Sequence, residues 1–162
     1  MTTNASYLKC FVDADWADSK HDRKYTSGGM TFCRGRLLRR WSSTQATYSL
    51  SSGESEAKAL TKGAVEGLYM NHLLEQQGYH VDIVMLSDAS AAIGAAKRLG
   101  AGKRMKHIEL QDLWIQQLIR NKLITLHKVS TRENPAYILT KVVSRQWLDS
   151  VSTMCGFRLP NQ

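Results

Sequence analysis

The sequence predicts an α/β domain, a five-stranded mixed sheet with flanking helices on both faces. Three observations lead to it. Two strand-length apolar runs, LKCFVD and VDIVMLSD, each end abruptly on an aspartate, Asp13 and Asp88. Between them a long helical segment closes on Gly78, and a crossover helix usually leaves the strands on either side of it parallel. Ahead of that helix, β-rich runs around a glycine turn read as a hairpin.

The first run lies in Leu8–Ala17, where Leu8, Cys10 and Val12 alternate with Lys9, Phe11 and Asp13. Apolar residues on both faces mark a central strand covered on both sides. Asp13 then lies at the rim of the sheet, where open α/β folds place their ligands. Taken alone it is either a turn former or the anchor of a site. A polar connection, Asp18–Ser27, and the pair Gly28–Gly29 lead into MTFCR (Met30–Arg34), a turn containing Gly35, and LLRRWSS (Leu37–Ser43). Three meandering strands therefore open the domain.

Ser51 with Glu54 three residues on is a capping-box signature, and Gly78 is a natural helix stop. The helix carries an apolar stripe of Leu60, Ala64 and Leu68, with Ala57 and Leu74 beside it. Glu56, one turn before Leu60, heads the stripe that faces the sheet, while Glu54 lies about 200° around the helix from it. Glu54 has a sufficient role as part of the cap. Glu56 has none, and burying it without a partner is costly.

Val81–Asp88 repeats the design of the first strand. With the third strand parallel to the first, Asp13 and Asp88 end at the same rim, and Glu56 approaches them from the start of the crossover helix. Three unrelated turn formers would not be expected to converge in this way. Ser90–Gly100 is a short helix stopped by glycine. KHIELQDLWIQQLIRN follows, with a wide apolar face of Ile108, Leu110, Trp114, Ile115, Leu118 and Ile119. Lys97, Arg98, Lys103, Arg104 and Lys106 fall within ten residues that contain no acid. Such a run is either a solvated face or a phosphate-binding surface, and its place beside an acidic rim favours the second. Glu109 and Asp112 suit the dipole of the following helix. Leu123–Val129 is a fifth strand, and His127 within it reads as a core or surface histidine. Asn134 as N-cap and Pro135 at the first helical position open the final helix.

At 162 residues the chain suits one domain with a real core. Its net charge of +8 and pI near 9.6 favour a polyanionic partner such as nucleic acid. Cys10, Cys33 and Cys155 are odd in number and far apart. That argues against a disulfide framework or a structural zinc site, and for a reducing, intracellular setting. The sequence shows no signal-peptide pattern and no apolar run long enough to cross a membrane. The opening MTTNASY suggests a piece of a longer polypeptide. Carboxylates gathered without cysteine or histidine ligands suit hard cations, Mg²⁺ or Mn²⁺. Two such ions about 4 Å apart activate water and stabilise the leaving oxygen in phosphodiester hydrolysis.

FVDADWA followed by DRKYTSGG, then RWSSTQ, SLSSGESEAKAL, VMLSDASAAI, KHIEL and NPAYILTK, in that order, resemble the ribonuclease H domain of copia-type LTR retrotransposon Pol polyproteins. The resemblance covers Leu8 to Lys141. It implies a ribonuclease H-like fold and metal-dependent cleavage of the RNA strand of an RNA–DNA hybrid with two Mg²⁺, for which Mn²⁺ substitutes. It also implies the reverse transcriptase domain of the same polyprotein as a partner, and a virus-like particle as the setting.

Carried over by position, the resemblance assigns Asp13 (not Asp15), Glu56 and Asp88 as catalytic metal ligands, with Asp13 bridging both ions. The family's fourth acid falls on Tyr137, and a neutral phenol is a poor Mg²⁺ ligand. Glu109 where Asp is usual, and Asp18 where glycine is common, are lesser departures. Two readings follow: a hybrid endonuclease attenuated at Tyr137, or a catalytically decayed module of the same fold kept for gripping nucleic acid or the polymerase domain. A third, an unrelated α/β domain whose acids are caps and turns, leaves the ordered motifs unexplained.

Overall fold

A computed structural model describes residues 6–15, 25–45, 49, 51–98 and 110–157. In chain order these form β1 (Tyr7–Asp15), β2 (Thr26–Cys33), β3 (Arg36–Thr44), α1 (Ser52–Gln76), β4 (Asp82–Ser87), α2 (Ser90–Lys97), α3 (Leu110–Arg120) and β5 (Ile124–Lys128). Two 3₁₀ turns, Thr131–Glu133 and Pro135–Leu139, precede α4 (Arg145–Met154). The strands make one sheet of order β3-β2-β1-β4-β5. β2 pairs antiparallel with β1 and β3, while β4 pairs parallel with β1 and β5. This is the mixed five-stranded sheet expected from the sequence, with β1 at its centre.

Both faces are covered. On one, Leu8, Cys10 and Val12 of β1, with Ile83, Met85, Ile124 and Leu126, pack against Leu60 and Ala64 of α1, Ala92, Ile93 and Ala96 of α2, and Ile115 and Leu118 of α3. On the other, Met30 and Phe32 of β2 pack with Val151 of α4, and Phe11, Ile138, Leu139 and Trp147 close around them. Among the described residues no helix is long and apolar enough to cross a membrane.

The ends of α1 follow its cap chemistry. Ser51 Oγ accepts the Glu54 backbone N–H at 3.2 Å, and the chain leaves the helix through Gly78 at φ +82°, a conformation that favours glycine. The Glu54 carboxylate pairs with Lys58 at 2.8 Å. The face that meets the sheet is wider than the apolar stripe. Ser55, Ala59, Gly63 and Gly67 recur every four residues beside Leu60 and Ala64, and all are buried. A β-carbon on Gly63 would collide with the Val12 side chain, and one on Gly67 would lie 3.0 Å from Cys10 Sγ. α1 thus lies closer to β1 than larger side chains would permit.

Two boundaries differ from the sequence reading. Gly28 and Gly29 lie inside β2 and do not precede it. A β-carbon on Gly29 would lie 2.6 Å from the Trp41 ring, and one on Gly28 would lie 2.8 Å from Leu139 Cβ. These glycines are strand positions over which other parts of the chain close. Asn134 and Pro135 do start a helical segment, but it is the 3₁₀ turn Pro135–Leu139, and α4 begins afresh at its own N-cap, Ser144.

Candidate metal centre

Asp13 lies just past the parallel pairing of β1 with β4. Phe11 stands opposite Leu86, and Asp13 and Asp88 each follow two residues later in the sequence. Across the antiparallel pair Asp13 faces Gly28. Glu56 lies in the first turns of α1, which the small-residue face seats tightly on β1. Carboxylate oxygens of Asp13, Glu56 and Asp88 lie within 4.8 Å of one another. The structure therefore brings together the three acids singled out in the sequence, and Asp15 is not among them.

The two oxygens of Asp13, whose side chain is fully buried, have different surroundings. Oδ2 accepts a hydrogen bond from Thr140 Oγ1 and lies 3.4 Å from Lys141 Nζ. Oδ1 is buried with no hydrogen-bond partner among the described residues, and so is Glu56 Oε2. Asp88 Oδ2 accepts from Thr131 Oγ1 at 2.6 Å. Burial, then the neighbouring Asp13 and Asp88 carboxylates, push the Glu56 carboxyl up to about 8, with Lys141 opposing. Burial also raises Asp13, against the Thr140 hydroxyl and the Lys141 ammonium. Buried polar atoms are normally paired. Three carboxylates with two orphaned oxygens form an all-oxygen donor set that fits a hard divalent cation.

Side chains whose part in the site the sequence did not reveal hold this arrangement. Buried Asn134 donates from Nδ2 to the Val12 carbonyl at 2.9 Å and accepts the Ala136 N–H at Oδ1. It clips the 3₁₀ turn to β1 and so presents Thr140 and Lys141 to Asp13. Gln45 Nε2 donates to Ser27 Oγ at 2.7 Å and to the Ser55 carbonyl at 2.9 Å, while its Oε1 accepts from Ser49 Oγ at 3.0 Å. Gln45 thereby ties β2 to the first turn of α1 beside Glu56. Thr140 and Lys141 end the motif NPAYILTK and Gln45 ends RWSSTQ, the one signal that could have drawn attention to them.

Tyr137 lies in the 3₁₀ turn, and the Lys141 ammonium stands 4.4 Å from the centre of its ring. Glu133 accepts from Ser130 Oγ at 2.7 Å and is not one of the three clustered acids. Lys97 and Arg98 are exposed at the C-terminal end of α2, roughly 12 Å along that helix from its start beside Asp88. They are not brought to the acid cluster. Lys103, Arg104 and Lys106, with Asp18 and Glu109, lie outside the described residues. His127 is exposed on the edge strand β5. A concavity of about 340 Å³ beside the rim is lined by Thr131, Arg132, Tyr137 and Trp147, among others.

No protein-family model matches the chain. Among solved structures, the N-terminal RNase H domain of a Mycobacterium tuberculosis protein superposes with a TM-score of 0.61 at 11% identity, over 92% of this chain and 98% of that one. LC11-RNase H1, solved in complex with an RNA/DNA hybrid, superposes with a TM-score of 0.57 at 9% identity, over 82% of this chain and 93% of that one. The fold is that of ribonuclease H domains. Among curated proteins, the Pol polyprotein of transposon TNT 1-94 from Nicotiana tabacum is 31% identical over 92% of this chain. That of transposon RE2 from Arabidopsis thaliana is 26% identical over 94%. The homologues of this chain are thus copia-type retrotransposon Pol polyproteins, and it spans 11% of the length of these relatives.

Proposed function

We propose that this domain is a metal-dependent endonuclease that hydrolyses the RNA strand of RNA–DNA hybrids during retrotransposon reverse transcription, as part of a longer Pol polyprotein. One observation carries the reading: Asp13, Glu56 and Asp88 converge from three separate elements to within 4.8 Å at one rim of a ribonuclease H-like sheet. In this reading Asp13 Oδ1, Glu56 and Asp88 hold Mg²⁺ or Mn²⁺. When bound, the cation supplies Lewis acidity at the scissile phosphate. Lys141 adds positive charge beside it, and Asn134 and Gln45 keep the carboxylates in place. The net charge of +8 suits the polyanionic substrate, and the reverse transcriptase domain of the same polyprotein is the partner in cis.

The test is cleavage of an end-labelled hybrid. RNA fragments are expected with Mg²⁺ present, none with chelator, and none from duplex DNA. Binding of the hybrid without any cleavage would instead support the decayed, gripping module, a reading favoured by Tyr137 at the position of the family's fourth acid.

A further inference from the structure

We infer that this centre takes a single divalent cation, and that the Lys141 ammonium serves as a built-in second cation on Asp13. The inference deepens the nuclease reading and rests on it for the identity of the site. A carboxylate commonly bridges two metal ions with one oxygen on each. Here Oδ2 is engaged by the Thr140 hydroxyl and by Lys141 Nζ at 3.4 Å, whereas Oδ1 is fully buried and has no partner among the described residues.

The lysine is held where it stands. Its backbone N–H donates to the Tyr137 carbonyl at 3.2 Å, and its ammonium lies 4.4 Å from the Tyr137 ring centre, a favourable cation–π geometry. Tyr137 therefore has a positive role, offering a π face to an ammonium where a carboxylate would have offered an oxygen to a metal. Among the described residues no fourth acid joins Asp13, Glu56 and Asp88. The charges agree, since one divalent ion and one ammonium neutralise three carboxylates. A second divalent ion would face the ammonium at close range, where like charges repel strongly.

Mn²⁺ titration of the full chain, followed by calorimetry and by the electron paramagnetic resonance of free Mn²⁺, measures the number of ions independently of activity. One ion per chain at saturation is expected, lost in Asp88→Asn. Lys141→Met removes the competing charge and is expected to tighten that ion about tenfold, the scale of a unit charge a few ångströms away. The double variant Tyr137→Asp/Lys141→Met takes the ammonium away from Oδ2, leaving only the Thr140 hydroxyl there, and supplies an acid, and is expected to bind two ions. Two ions in the unaltered protein, or none, overturn the inference, and so does an unchanged affinity in Lys141→Met. Should the double variant fail to fold, the single one decides. One ion with no hybrid cleavage keeps this inference and removes the nuclease reading, whereas two ions with brisk cleavage do the reverse.

Discussion

Glu56 shows what the site costs the fold. Its carboxyl is raised from an ordinary value near 4.5 to about 8, chiefly by burial and then by Asp13 and Asp88. Between those values the native protein binds more protons than the unfolded chain. Stability of the metal-free protein is therefore expected to be highest below about 4.5 and to fall as pH rises towards about 8. Denaturant unfolding at a series of pH values in chelator checks this, and a flat profile would show that Glu56 ionises freely. Glu56→Gln should reduce the slope, leaving the part contributed by the raised Asp13 carboxyl. Glu56→Gln, Asp13→Asn and Asp88→Asn should each abolish hybrid cleavage while leaving metal-free stability unchanged or higher, because each relieves repulsion among buried charges. Glu54→Gln should keep its activity, since that carboxylate faces Lys58 and not the cluster.

At the scale of elements, the approach of α1 to β1 decides whether the acids meet. Gly63→Ala places a methyl group against Val12. It is expected to cost about 1–3 kcal/mol by overpacking and to weaken Mn²⁺ binding by lifting Glu56 away from Asp13. Gly94→Ala is the control. It lies within α2, its added β-carbon would meet nothing within 4 Å, and helix propensity alone should make it stabilising by up to about 1 kcal/mol. Thermal unfolding of the two variants compares them directly. Equal effects would mean that α1 does not need its small-residue face.

The whole molecule carries a net charge of +8, so binding to a hybrid should weaken steeply with salt. Replacing Lys103, Arg104 and Lys106 together by alanine should weaken binding alike for all sequences. It should also reduce the log–log salt slope by about 0.9 for each phosphate no longer neutralised, taking B-form duplex as reference. An unaltered slope in a titration monitored by fluorescence anisotropy would return these residues to the role of a solvated face. Lys97 and Arg98, at the far end of α2 from Asp88, should contribute to the slope without changing the cleavage rate at saturating hybrid.

Much of this was determined by the sequence itself. Alternating apolar residues, Ser51 ahead of Glu54, and Asn134–Pro135 act over a few neighbours, so strands and helix starts are legible locally. The convergence of Asp13 and Asp88 followed from strand direction, because a crossover helix constrains which ends of the strands share a rim, and that of Glu56 from the apolar stripe it heads. Tertiary structure decided what those acids meet. Lys141 reaches Asp13 from 128 positions away, and Asn134 reaches the Val12 carbonyl from 122. That long-range clip accompanies a 3₁₀ turn where helix-start signals alone suggested a continuous helix. Gly28, Gly29, Gly63 and Gly67 are small because of what closes over them: Leu139, Trp41, Val12 and Cys10 respectively. Approaches of this kind leave no period and no cap in the sequence, since they depend on which distant surfaces the packed core brings face to face.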